Sequence, residues 1–130
     1  MSRKVIATNK APQAIGPYSQ AIQAGQFLFV SGQVALDPAT GEVRPGNAEK
    51  QTGFVMENIK AILEEAGCSL EAVVKCTIYL KDLGDFATVN QVYGSFFKQA
   101  PPARATVQVS GLPKGVDVEI DAIVCLEQSG

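Results

Sequence analysis

Apolar positions near the start of the chain follow the pattern of β-strands. Residues 26–34 form an apolar run rich in aromatic and β-branched side chains, which is typical of a central strand. Residues 19–24 are expected to pair with that run through a turn at Gly25, and residues 4–7 to form a short first strand. The chain is therefore predicted to begin with three strands.

Two later segments carry apolar residues at helical spacing. The first spans about residues 48–66, with Asn47 as its predicted N-cap and Gly67 as its C-terminal stop. The second spans about residues 85–98, with Asp85 as its predicted N-cap. The inner stripe of this second helix is expected to contain Phe86, Val89, Tyr93, Phe96 and Phe97.

Three segments in the second half of the chain alternate with the period of a strand. Residues 73–81 predict a strand between the helices, and residues 103–109 and 118–126 predict two more. The loop at 110–115 is expected to join the last two strands as a hairpin. The inner positions of the first of the three are predicted to be Val74, Cys76, Ile78 and Leu80.

The predicted order β-β-β-α-β-α-β-β indicates an α+β domain of two layers. Two helices lie on one face of a mixed or antiparallel sheet, and the 130 residues have room for a single domain, residues 1–130. The other face carries Ile123, Cys125 and part of the run 27–30, so it is partly apolar. Because an exposed apolar face usually has a partner, we expect a homo-oligomer with polar residues at its subunit seams.

The predicted hairpin places one basic and two acidic side chains together. Its register sets Arg104 opposite Asp121 and Thr106 opposite Glu119, all on the side away from the helices. A guanidinium binds a carboxylate through two parallel hydrogen bonds, and Glu119 could orient or deprotonate a water or pass a proton to a leaving amine. The alternative is a cross-strand ion pair on a sheet surface, contributing only ~0.2–1 kcal/mol.

Three other places have polar residues in unusual settings. Tyr18 follows a Gly-Pro turn and could cover a ligand, or serve as an ordinary aromatic anchor. Ser31 and Gly32 interrupt an apolar strand, where glycine permits close approach of a ligand or simply marks a β-bulge. Asn90 lies among the polar positions of the second helix, which are ordinarily exposed to solvent.

Composition narrows the possible chemistry. The chain has no histidine, which excludes Ser-His-Asp triads, Cys-His dyads and histidine-ligated zinc. Its three cysteines form no CxxC pair, so neither a disulfide scaffold nor a structural zinc site is expected. With 11 basic and 13 acidic residues, the formal charge of −2 argues against a nucleic-acid or anionic-membrane binder.

The first residues carry no apolar segment typical of a secretory signal, and no apolar run approaches the roughly 20 residues that cross a bilayer. We expect a cytoplasmic protein, with a mature organellar form as the alternative. No membrane association is predicted.

Four segments together resemble the RidA family, also called YjgF or L-PSP. They read AIGPYSQA at 14–21, VSGQ at 30–33, KDLGDFATVN at 81–90, and PAR, LPKG and VEI between 102 and 120. The resemblance implies a chorismate-mutase-like α+β fold assembled as a homotrimer, with active sites in the clefts between subunits. It also implies cofactor-free, metal-free hydrolysis of 2-aminoacrylate and related enamine or imine acids to 2-keto acids and ammonia, the 2-iminobutanoate/2-iminopropanoate deaminase reaction.

Roles for individual residues follow from the same resemblance. Arg104 would hold the substrate carboxylate, and Glu119 would position the attacking water or assist proton transfer. Backbone groups expected to contact the substrate belong to Gly32, Ala105 and Thr106. Side chains expected to shape the pocket and its polar end are those of Tyr18, from a neighbouring subunit, Ser31 and Asn90. Many bacterial members have cysteine where this chain has Thr106, so a thiol function at that position is not expected here.

Two other functions remain as alternatives. One is a non-catalytic trimer that binds a small molecule or a protein in the same pocket, in a regulatory or chaperone-like role. The other is an endoribonuclease that inhibits translation, although the acidic charge and missing histidine argue against RNA contacts. The preferred imine, the pathway and any protein partner are left open by the sequence.

Overall fold

Six strands form one mixed sheet in the computed structural model, which describes residues 2–126. The strands are β1 (Arg3–Ile6), β2 (Ala21–Ala24), β3 (Phe27–Gln33), β4 (Val73–Leu80), β5 (Ala103–Gln108) and β6 (Val118–Cys125). Their order across the sheet is β1-β2-β3-β6-β4-β5, with β4 and β5 parallel and all other neighbours antiparallel. Two helices, α1 (Ala48–Glu65) and α2 (Phe86–Ser95), pack on one face, which confirms the predicted α+β architecture. The ends of the predicted domain, residues 1 and 127–130, lie outside the described residues.

Both ends of α1 follow the sequence prediction. Asn47 caps the first turn, because its side chain accepts a hydrogen bond of 3.1 Å from the Lys50 amide. Gly67 ends the helix with a φ of +83°, and the Cys68 amide donates to the Leu63 carbonyl at 2.9 Å. Helix α2 ends at Ser95, slightly earlier than predicted.

The core lies between the helices and the central strands. Alternate residues of β3, β4 and β6 point into it, as the alternation predicted, and they pack against Val55, Ile59 and Ile62 of α1. One predicted core position is wrong. A register shift between Val73 and Lys75 turns Val73 inward and leaves Val74 at 44% exposure. None of the helices among residues 2–126 is long and apolar enough to cross a membrane.

The predicted hairpin between the last two strands is also wrong. Strand β4 lies between β5 and β6, because the connection at 109–117 crosses the end of β4. That crossing spans about 10 Å, twice the spacing of neighbouring strands. Within this connection Val109 donates to the Leu80 carbonyl at 2.9 Å, so the loop is tied to the strand that it passes. The connection therefore joins two strands that are not neighbours.

This change of partner reverses the predicted faces of β5. Arg104 is the Cα partner of buried Cys76, whereas Glu119 is the partner of Tyr79. Residues that pair across neighbouring strands point to the same face. Arg104 and Thr106 therefore lie on the helix side and Glu119 and Asp121 on the open side, so neither predicted cross-strand pair forms.

Among residues 2–126 no helix covers the second face of the sheet, and this face is partly apolar, as predicted. Val5, Ile22, Phe29 and Ile123 form a continuous row across four strands. Phe29 is 46% exposed and Val107, on the edge strand, 42% exposed. A surface of this kind usually packs against another protein surface.

Candidate functional site

Helix α2 holds the Arg104 guanidinium in a fixed place. The Nη1 atom donates to the side-chain oxygen of Asn90. The guanidinium carbon lies 5.5 Å from the ring centre of Phe86 and 5.4 Å from that of Tyr93. These three residues follow one another at i, i+4 and i+7, so they share one stripe of the helix. We call Arg104 with these three residues the arginine cradle.

The cradle leaves the positive charge of Arg104 without an acidic partner. Among residues 2–126 the structure contains one salt bridge, between Arg44 and Asp37 at 4.0 Å. Arg104 is exposed, and its own contacts are an amide and two aromatic rings. The alternative explanation by a cross-strand ion pair therefore does not hold. The arrangement presents an oriented guanidinium to an anion from solution.

The groups beneath the guanidinium are neutral. Burial is the main cause that raises the pKa of the Cys76 thiol and of the Tyr93 hydroxyl, and the two side chains interact. On the same side of β5, the Thr106 hydroxyl oxygen is buried with no hydrogen-bond partner in the described part of the chain. In the described part of the chain, these neutral side chains therefore offer Arg104 no negative charge.

The open face carries a second polar group, which we call the acidic cluster: Glu119, Asp121 and Tyr79. The Tyr79 hydroxyl donates to Asp121 Oδ2 at 2.9 Å, and the Thr77 amide donates to Oδ1 at 3.2 Å. Burial, followed by the charge of Asp121, raises the pKa of the Glu119 carboxyl. The hydrogen bond to Asp121 raises the pKa of Tyr79. Glu119, with its raised pKa, is therefore the member of the cluster best suited to gain and lose a proton.

Gly32 lies directly against the Glu119 carboxyl group. A Cβ at this position would stand 2.1 Å from Glu119 Oε2 and 2.8 Å from its Cδ. The pairing of β3 with β6 shifts register between Val30 and Gln33, which confirms the predicted bulge, whereas the approach of a ligand to this glycine stays a prediction. What approaches the glycine in one copy of the chain is the Glu119 side chain.

A hydrogen bond from Ser31 on β3 holds the loop that carries Tyr18. The Ser31 hydroxyl donates to the Ser19 carbonyl at 2.6 Å, which ties the loop at 12–19 to β3. Tyr18 is 53% exposed, so it is not a buried anchor. Its ring borders two clefts of about 460 and 560 Å³. The Ser31 hydroxyl therefore holds the loop that carries Tyr18 against β3.

The predicted site residues divide into two groups. Arg104, Asn90 and Thr106 come together on the helix side, and Glu119, Gly32 and Ser31 on the open side. Ala105 lies on β5 between Arg104 and Thr106, with its side chain on the open side. The prediction that Arg104 and Glu119 share one face is wrong within a single copy.

Sequence reasoning missed two contributions to this site. Phe86 and Tyr93 were expected only as core residues, although their spacing from Asn90 already places all three on one helix stripe. Tyr79 had no assigned role, because its contact with Asp121 depends on β4 lying beside β6.

Fold and site together define a small α+β protein with an oriented arginine and a half-buried acid on opposite faces of one sheet. Residues 8–126 match the family model described as Endoribonuclease L-PSP. A RutC family protein of Pyrococcus abyssi is 58% identical over 127 residues, which cover 98% of this chain and 100% of the relative. A mouse protein named 2-iminobutanoate/2-iminopropanoate deaminase is 50% identical over 121 residues, covering 93% of this chain and 90% of the relative.

Solved structures give the same result. RidA from an Antarctic Psychrobacter matches with a TM-score of 0.90 and 49% identity, over 94% of this chain and 98% of that one. TdcF of E. coli with bound serine matches with a TM-score of 0.90 and 44% identity, over 97% and 99% of the two chains. The chain belongs to the RidA (YjgF/L-PSP) family, as its sequence motifs indicated.

Proposed function

We propose that this protein hydrolyses 2-imino acids, tautomers of 2-aminoacrylate and its homologues, to 2-keto acids and ammonia. The proposal includes no metal and no organic cofactor. The observation that carries it is the arginine cradle, in which an oriented guanidinium has no acidic partner among residues 2–126. The name of the mouse relative supports this reaction, and the serine bound to E. coli TdcF supports a small amino-acid-derived ligand.

The separation of Arg104 and Glu119 supports a site built from two copies. They belong to opposite faces of one sheet, and a three- or four-carbon acid cannot contact both through it. A second copy must then bring its own Glu119 to the cradle. We propose that the open apolar faces pack to form a homotrimer and that the substrate binds in the clefts between subunits.

Hydrolysis in such a cleft needs little activation of water, because a protonated imine is already electrophilic. The oxygen of a water molecule bonds to the imine carbon while Glu119 takes a proton from that water. The product of this step is a carbinolamine. Glu119 then returns that proton to the nitrogen, the C–N bond breaks, and the hydroxyl proton leaves through Glu119 to the departing ammonia. One iminium acid and one water become one keto acid and one ammonium ion. Binding of the substrate carboxylate to Arg104 holds the imine carbon close to the water and to Glu119, so these steps take place within one complex.

The other predicted residues have supporting parts in this proposal. Asn90 orients Arg104, and backbone groups of Gly32, Ala105 and Thr106 contact the substrate. Ser31 holds the loop that carries Tyr18, and this phenol covers the cleft of a neighbouring subunit. None of these roles needs an ionised side chain besides Arg104 and Glu119.

The test is a coupled assay in which a threonine dehydratase releases 2-aminocrotonate and formation of the keto acid is followed. We expect the protein to accelerate this step over the spontaneous rate. Arg104→Ala should lower kcat/KM by about 100-fold, since losing a charge-assisted contact to a carboxylate costs ~3 kcal/mol. Arg104→Lys keeps the charge but not the planar fork, so it should restore only part of the activity.

Arg44→Ala is the matched control, because Arg44 also lies over an aromatic ring, that of Phe54 at 5.0 Å, but outside the cradle. An unchanged rate with the wild-type protein would contradict the proposal. Binding of 2-ketobutyrate without acceleration would then favour the non-catalytic binding protein. RNA cleavage that survives repurification and is lost in Arg104→Ala would favour the activity in the description of the family model.

A further inference from the structure

We propose that Asp121, held by Tyr79, is a positioning residue that makes Glu119 the proton carrier of the site. This inference rests on the proposed function and deepens it, because it concerns how the same site handles its proton. Asp121 does not contact the substrate in this proposal. It acts on the reaction through its charge and through the hydrogen bonds that keep that charge in place.

The geometry begins with the strand period. Glu119 and Asp121 are two residues apart on β6, so their side chains leave the same face about 7 Å apart. The partner of Glu119 on β4 is Tyr79, and the partner of Asp121 is Thr77. The Tyr79 hydroxyl reaches diagonally to Asp121 at 2.9 Å instead of towards Glu119.

Hydrogen bonding distinguishes the two carboxyl groups. Both oxygens of Asp121 accept hydrogen bonds, one from the Tyr79 hydroxyl and one from the Thr77 amide. Within residues 2–126, no donor lies at hydrogen-bond distance from the side chain of Glu119, which packs against Gly32. The oxygens of Asp121 are held by these two donors, whereas burial, followed by the charge of Asp121, raises the pKa of Glu119. Of the pair, Glu119 is therefore the carboxyl group left to exchange a proton with water.

Few other ionisable groups face Glu119. From β4 these are Tyr79 and Lys75, the latter farther along the strand and opposite Ile123. Strand β3 contributes Ser31 and Gly32, neither of which titrates. The loop tied to Ser31 carries Tyr18, and both helices lie behind the sheet. Asp121 is thus the acid placed to act on Glu119 within one copy.

The proposed reaction uses this arrangement in both of its proton transfers. Glu119 must be basic enough to accept a proton from water and acidic enough to return it to nitrogen, which requires a pKa near the working pH. The two oxygens of Asp121 are occupied by the Thr77 amide and the Tyr79 hydroxyl, so Asp121 takes no part in these transfers. Both proton transfers are thus left to Glu119, the carboxyl group that faces the proposed cleft.

The experiment compares the pH dependence of kcat/KM in Asp121→Asn and Tyr79→Phe. Activity rises with pH as Glu119 loses its proton, so removing the charge of Asp121 should move the acidic limb down by about one pH unit. Tyr79→Phe leaves that charge in place, so its limb should stay or move upward. A purely structural role would lower kcat in both variants without moving either limb.

A second readout does not require turnover. Carboxyl ¹³C resonances of labelled glutamate report the titration of Glu119, which is assigned as the signal missing from Glu119→Gln. Its midpoint should fall in Asp121→Asn and stay in Glu57→Gln, which removes an exposed carboxylate from α1. An unmoved midpoint in Asp121→Asn would overturn this inference even in an active enzyme. A shifted midpoint in a protein without deaminase activity would overturn the proposed function alone.

Discussion

The arginine cradle and the acidic cluster are built in opposite ways. Every contact that orients Arg104 comes from α2 of the same copy, so the cradle is complete in one chain. Within residues 2–126 no helix covers the face that carries the acidic cluster and the exposed ring of Phe29. The internal hydrogen bonds of the cluster are formed, but one side of it has no cover within the described residues.

The sheet between these regions prevents their charges from neutralising each other. If Arg104 and Glu119 shared a face, as the predicted hairpin required, they could form a salt bridge, and a substrate carboxylate would have to displace it. On opposite faces, each group keeps its charge or proton available until a second copy brings the other group near. The difference between the two regions therefore indicates a site that forms only when two copies of the chain associate, because one copy cannot bring both groups together.

The strongest test of this division is subunit complementation. Arg104→Ala and Glu119→Gln should each be nearly inactive alone. After co-refolding in equal amounts, clefts that combine the intact Arg104 of one copy with the intact Glu119 of its neighbour should recover about one quarter of wild-type activity. The measurement is kcat/KM of the mixture in the coupled assay.

The control for complementation is the double variant, Arg104→Ala with Glu119→Gln, refolded with either single variant. These mixtures should recover no activity, because no cleft receives both groups. Equal mixtures of the two single variants that stay inactive despite proven subunit exchange would contradict the two-copy site.

The next largest loss of activity is expected from a substitution at Gly32. In Gly32→Ala the new methyl group would overlap Glu119 Oε2, which must move by more than 1 Å from its 2.1 Å contact. A displacement of this size costs about 100-fold in rate when the displaced group is catalytic. The melting temperature should change little, because the displaced atoms are the end of a flexible side chain.

Gly53→Ala is the matched control for this substitution. Gly53 lies within α1 with open space around the added Cβ, so alanine should raise stability by up to about 1 kcal/mol and leave kcat/KM unchanged. If Gly32→Ala kept full activity, the position of Glu119 in this copy would have no bearing on the reaction.

Some parts of the fold could be predicted from neighbouring residues alone. Helix α1 was predictable to its caps, because Asn47 and Gly67 act on the backbone of their own helix turns. The alternation of β6 also placed Glu119 correctly, since buried neighbours on a central strand leave one choice of face. These predictions needed no knowledge of distant contacts.

The face of β5 depends on contacts that the sequence does not reveal locally. Either row of side chains on this edge strand could face the helices. One row contains Ala103, Ala105 and Val107, and the other contains Arg104, Thr106 and Gln108. The choice is made by α2, which accommodates the guanidinium against its aromatic flank, and by β4, which pairs on both sides. Family motifs identified Arg104 and Glu119 as partners, but only the topology shows that one copy separates them.

Within the cradle, Asn90→Asp should reveal whether the lack of an acidic partner matters. The new carboxylate would keep the hydrogen bond to Arg104 and also neutralise it, so KM should rise by about tenfold with a smaller change in kcat. Asn90→Ala removes the hydrogen bond but adds no competitor, so its KM should rise less. The reverse order would show that orientation alone governs binding. The melting temperatures of both variants check that the fold is kept.

The smallest effect is expected at the Thr106 hydroxyl, a buried group on the helix side of β5 that has no hydrogen-bond partner in the described chain. Thr106→Val removes the hydroxyl at nearly constant volume, and deleting a buried polar group that has no partner is neutral or stabilising, by up to about 1 kcal/mol. Because the proposed contact of Thr106 uses its backbone, kcat/KM should stay within about twofold of wild type. Denaturant unfolding and the coupled assay measure the two quantities. A tenfold loss of kcat/KM at full stability would show that the hydroxyl contacts the substrate. Thr106 would then add a second side-chain contact to that of Arg104.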